Sequence, residues 1–65
     1  MILNIAIVDD SRDEQQIIHS AVCSWAESRN KKADISVYNN GELFIADLSE
    51  HSFDIVLMDI YIWKR

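Results

Sequence analysis

Apolar positions in this chain follow two periodicities, and their order predicts the fold. Residues 2–8 form a near-continuous aliphatic run broken only by Asn4. A run of strand length without polar alternation predicts a strand covered on both faces, as in a parallel sheet. From Ser11 the period changes. Ile17, Ile18, Ala21, Val22 and Trp25 recur at helical spacing and share one face, while Arg12, Gln15, Gln16, His19 and Glu27 take the other. Ser11 and Glu14 form an S-x-x-E capping box, so the helix is expected to start at Ser11. It is expected to end near residues 28–30, with Arg29 close to its negative end.

Residues 33–38 alternate, with Ala33, Ile35 and Val37 on one face and Asp34, Ser36 and Tyr38 on the other. This is the pattern of a strand with one more exposed face, as at a sheet edge. Asn39-Asn40-Gly41 signals a turn and a helix start. A short second helix is expected over residues 41–49, with Leu43, Phe44 and Leu48 on its apolar side. Residues 53–59 read as a third strand. The order β-α-β-α-β predicts the α/β class, a parallel sheet with helices on its faces. Crossovers of this kind are right-handed. Strand order 2-1-3 then puts one helix on each face and makes strands 1 and 3 neighbours, about 4.8 Å apart.

Composition narrows the function classes. Sixty-five residues allow one domain of marginal stability. Cys23 is the single cysteine, so no intrachain disulfide forms, and a reducing compartment fits. Net charge is -5, and the basic residues cluster only at Arg29-Asn30-Lys31-Lys32 and Lys64-Arg65. Direct nucleic-acid contact needs clustered Lys and Arg and is not expected of this segment. The N-terminus lacks a positive region before its apolar run, and no apolar stretch reaches the roughly 20 residues of a membrane span. A cytoplasmic location with no membrane contact is the expectation.

The candidate chemistry lies where the first and third apolar runs end. Asp9-Asp10 closes Ile5-Ala6-Ile7-Val8, and Asp59 closes Ile55-Val56-Leu57-Met58. In the 2-1-3 order these ends meet at the topological switch point, where open α/β sheets bind ligands. Three carboxylates there need compensation, either by protonation or by a cation. Mg²⁺ suits an all-oxygen set, and no His or Cys is placed to favour zinc. Asp9 and Asp10 are the candidate metal ligands, with Asp59 and the backbone carbonyl of Tyr61 completing the set. Aspartate is also a nucleophile toward phosphorus, and Asp59 is the candidate phosphoacceptor. Each acidic site also has a plainer reading: Asp9-Asp10 as favourable charge at a helix start, and Asp59 as a solvated strand end.

Ile5-Ala6-Ile7-Val8-Asp9-Asp10-Ser11, followed some forty residues on by Phe53-Asp54-Ile55-Val56-Leu57-Met58-Asp59-Ile60, resembles a response-regulator receiver domain of two-component signalling. The resemblance covers residues 1–65 as the N-terminal half of such a domain. It implies a truncated flavodoxin-like fold, Mg²⁺ at Asp9 and Asp10, and transfer of a phosphoryl group from a sensor histidine kinase to Asp59. The chain is then a phosphoacceptor and not an enzyme. The opening Met1-Ile2-Leu3-Asn4-Ile5-Ala6-Ile7 and the absence of proline after Asp59 look like regulators of transcription that carry a LytTR-type DNA-binding domain. The fourth and fifth strands of a receiver, with its hydroxyl and lysine residues, have no match in these residues.

Without a fourth strand, strand 3 is an edge whose aliphatic residues flank unpaired backbone groups, which invites pairing with another chain. A homodimer through strand 3 is therefore expected, by an antiparallel two-fold contact. The alternative function is a non-catalytic association module that dimerises in this way. The remaining polar and aromatic residues have plain readings. Ser11 is expected to be an N-cap, His19 and His51 to be solvated, and Cys23 to be a small filler on a helix flank. Trp25 is expected in the core and Tyr38 on the outer strand face. Trp63 is expected to cover exposed strand surface or to join a subunit contact.

Overall fold

The computed structural model describes residues 2–59, with Asp59 placed by its strand backbone. Strand β1 (Ile2–Asp9) leads into helix α1 (Arg12–Ser28), strand β2 (Lys32–Tyr38), helix α2 (Gly41–Leu48) and strand β3 (Ile55–Asp59). The sheet order is β2-β1-β3, and both pairings are parallel. This is the α/β open sheet expected from the sequence, with the strand order of the first three strands of a flavodoxin-like fold. The expected third strand is shorter than its apolar pattern, because Phe53 and Asp54 precede the ladder. The Asp54 amide donates to the Asn4 carbonyl at 2.7 Å, and its Oδ2 accepts from the Asn4 amide at 2.9 Å. This clamp ends at the point where the parallel register begins, Ile5 opposite Ile55.

Helix ends follow local chemistry. Ser11 is the N-cap of α1, and its hydroxyl accepts from the Glu14 amide. The reciprocal half of the capping box differs from expectation: the Ser11 amide donates to Asp9 Oδ1 at 2.9 Å. At the far end, Asn30 takes a left-handed φ of 59°. Its amide bonds to the Glu27 carbonyl and the Lys31 amide to the Ala26 carbonyl, which together make a Schellman motif. Asn40 caps α2 by accepting from the Leu43 amide at 2.9 Å.

Alternation along β1 divides the core. Ala6 and Val8 face α2 and pack with Phe44, joined by the partly buried Tyr38 and Phe53. Tyr38 and Phe44 meet edge to face, with centroids 5.5 Å apart. Tyr38 therefore packs inward, against the expectation of an outer-face position, because its pairing with Val8 puts it over α2. Ile5 and Ile7 face α1, whose buried residues are Val22 and Ala26.

Both helices lie over β1 and β2, and neither makes close backbone contact with β3 among the described residues. This changes the fate of several apolar residues. Ile17, Ile18, Ala21, Val22 and Trp25 line an open groove of about 350 Å³ with Ile5, Ile55 and Leu57. Trp25 is 37% exposed and carries the Arg29 guanidinium over its ring at 6.0 Å, so it is a groove wall and not a core residue. On α2, Phe44 is buried, but Leu43 and Leu48, expected with it on the apolar side, stay exposed. An eight-residue helix presents less than a full apolar face to a narrow sheet.

Candidate functional site

The carboxyl ends of the strands lie side by side. Asp9 and Asp59 are register partners across the β1–β3 ladder. Asn39 follows Tyr38, the partner of Val8, at the end of β2. The expected meeting of the two acidic sites at the switch point is thus a property of the backbone register. Asp10 follows Asp9 directly, at an exposed bend before α1.

Asp9 is the buried member of the set, 2% exposed at the end of a fully covered strand. Its Oδ1 accepts from the Ser11 amide, and its main-chain oxygen accepts from Gln15 Nε2 at 2.6 Å. Among the described residues, its Oδ2 is buried and has no hydrogen-bond partner. A buried acceptor without a donor carries a desolvation cost of about 1–3 kcal/mol, more if it is ionised. Natural structures rarely leave such a group without a cause. A hard divalent cation answers that requirement. Mg²⁺ takes oxygen ligands, keeps several waters, and is commonly held by one or two carboxylates. Asp9 Oδ2 and the Asp10 carboxylate fit this donor set.

The described residues hold no group of three His, Cys, Asp or Glu side chains arranged around a common point. Asp59 takes its place from its strand position alone, and the Tyr61 carbonyl and Trp63 lie outside the described residues. His19 is exposed on α1 and lies 3.6 Å from Cys23 Sγ, one helical turn on. His51 is exposed, with Nε2 3.8 Å from Asp47 Oδ2. Cys23 is also exposed, which does not bear out the filler role expected for it on the helix flank.

Two side chains escaped the sequence pattern, one at the site and one beside the core. Gln15 was assigned to the solvated face of the helix, yet it is half-buried and bridges Asp9 to Asn39 Oδ1, the latter at 2.8 Å. A signal existed: Gln15 sits one turn after Ser11, and helical side chains lean back toward the N-terminus, here toward the strand ends. Tyr38 is the second. Its hydroxyl donates to Asp47 Oδ2 at 2.7 Å, which raises the phenol pKa because the neutral form is the donor.

No protein-family model matches the chain, and neither a curated protein nor a solved structure matches it. No helix among the described residues is long and apolar enough to cross a membrane.

Proposed function

We propose that this chain is a phosphoacceptor segment of a two-component relay, in which Asp59 accepts a phosphoryl group beside a Mg²⁺ site at Asp9 and Asp10. The observation that carries this reading is the buried Oδ2 of Asp9, without a partner among the described residues, on a residue in register with Asp59. In the step itself, a carboxylate oxygen of Asp59 bonds to phosphorus and the bond from phosphorus to the donor breaks. The leaving group keeps the electron pair and takes up a proton. Bound Mg²⁺ supplies neutralisation of charge on the transferring group. The donor in such a relay is a sensor histidine kinase. Incubation with a small phosphodonor and Mg²⁺, followed by intact mass measurement, tests the reading. The expected result is the gain of one phosphoryl group, lost in Asp59→Asn and in the absence of Mg²⁺. No gain in the unaltered chain overturns it.

A second reading is favoured by a separate observation. Among the described residues, Ile55, Val56, Leu57 and Met58 are all exposed on the edge strand of the sheet. Such an edge is a template for strand pairing. On this reading the chain is an association module that pairs β3 with β3 of a second copy. Sedimentation then shows a dimer that Val56→Lys dissociates and Asp59→Asn leaves intact. A monomer at micromolar concentration overturns it.

A further inference from the structure

Gln15 joins two strand ends through one nitrogen. Its Nε2 donates to the Asp9 main-chain oxygen at 2.6 Å and to Asn39 Oδ1 at 2.8 Å. Both partners are acceptors, so only the amide nitrogen of this side chain satisfies them together. The Asp9 carbonyl belongs to the peptide plane that carries the Asp10 amide, and that plane is rigid. Holding the carbonyl therefore sets the direction in which Asp10 leaves the strand. The Ser11 amide holds the Asp9 side chain through Oδ1. Together the two bonds hold the Asp9 side chain and the peptide that leads to Asp10, and leave Oδ2 without a partner among the described residues.

We propose that Gln15 is a positioning residue for the Asp9–Asp10 pair, holding the peptide between them against the β2–α2 loop and thereby setting the affinity of the pair for Mg²⁺. The proposal rests on the reading of this pair as a Mg²⁺ site. It adds a residue that touches neither metal nor substrate and acts through the Asp9 carbonyl. Asn39 anchors the far end of the bridge, which ties the loop before α2 to the same site.

The test compares Gln15→Met, which keeps the length and loses both donors, with Gln16→Met, an exposed neighbour that lines the same cleft as Gln15 but makes neither bond of the bridge. Mg²⁺ is titrated while the Asp10 amide is followed by NMR, and Ser11 amide exchange is measured without metal. Gln15→Met is expected to weaken Mg²⁺ binding by about tenfold or more, the usual effect of removing a bond that orients a ligand. Gln16→Met is expected to leave it unchanged. Asn39→Ala is expected to weaken binding less, and to add nothing to Gln15→Met. Ser11 exchange is expected to quicken in Gln15→Met even without metal. Wild-type affinity in Gln15→Met, or unchanged Ser11 exchange, overturns the proposal. A parent chain that does not respond to Mg²⁺ overturns the metal reading instead, and Ser11 exchange then decides whether Gln15 holds Asp9. If Gln15→Met melts below the titration temperature, Asn39→Ala carries the comparison from the other end of the bridge.

Discussion

β1 and β3 are nearly the same sequence in physical terms, and they live in different environments. Each is an aliphatic run closed by aspartate, Ile5-Ala6-Ile7-Val8-Asp9 against Ile55-Val56-Leu57-Met58-Asp59. From Ile5 to Asp9, β1 is at most 2% exposed, whereas Ile55–Met58 are 36–53% exposed. β1 is paired on both edges and covered on both faces. Among the described residues β3 has one partner strand, and neither helix makes close backbone contact with it. Hydrophobicity therefore does not set burial here; position in the sheet does. The same contrast holds at the acidic ends. Asp9 is buried with one oxygen unpartnered because β1 is central, and Asp59 takes its place from the edge strand beside it.

The sharpest way to break this comparison is to put a charge into each strand. Ile7→Asp buries an unpaired carboxylate and costs about 3–5 kcal/mol. A domain of this size is stable by only about 3–10 kcal/mol. Thermal melting by circular dichroism is expected to show loss of most or all of the folded state. Val56→Lys on β3 is expected to keep the melt within a few degrees, because the lysine can reach water. A melt lowered as far as that of Ile7→Asp would mean that β3 is covered in solution.

A smaller effect separates buried from exposed positions on α2. Phe44→Ala removes the ring that packs on Ala6 and Val8, and costs about 3–5 kcal/mol. Ile45→Ala, at a neighbouring exposed position, is expected to stay within about 0.5 kcal/mol. Urea unfolding of the two variants measures the difference directly.

The smallest effect concerns the polar bond beside that core. The hydrogen bond to Asp47, aided by desolvation and by the Asp47 charge, raises the Tyr38 pKa above the ordinary 10.0. Because the folded value is the higher one, the stabilisation is complete below pH 10 and is lost as pH rises through the folded pKa. Phenolate absorbance in a Tyr61→Phe background is expected to place the Tyr38 titration above that of a free tyrosine. Asp47→Asn is expected to bring it back down. A Tyr38 titration that Asp47→Asn leaves unmoved would separate the phenol from its carboxylate partner.

Much of the fold was legible in the residues. The change from unbroken aliphatic run to helical spacing and back marked all five elements, because each period reflects how a backbone presents side chains. Ser11 marked the first helix start through its capping oxygen, and Asn39-Asn40-Gly41 marked the second as a turn. The meeting of Asp9 with Asp59 followed once the strand order was taken as 2-1-3. Trp25 is not the core residue expected, and Leu43 and Leu48 stay exposed on the apolar side of α2, for one reason: an apolar stripe shows which side of a helix faces the protein, but not how much sheet lies beneath it. Gln15 was misjudged for a related reason. A polar residue near a helix start reads as solvated until the strand end beside it is known.

The sequence by itself determined the five elements, the parallel sheet and the two acidic sites, since period, capping and turn chemistry act over a few residues. The tertiary structure decided, among the described residues, which aliphatic strand became the covered centre and which the open edge, and it left Asp9 Oδ2 buried there without a donor. It also brought Gln15 to the Asp9 carbonyl and Asn39, and the Tyr38 hydroxyl to Asp47. Those outcomes depend on which elements lie side by side, and residues distant in sequence come into contact only when the sheet assembles.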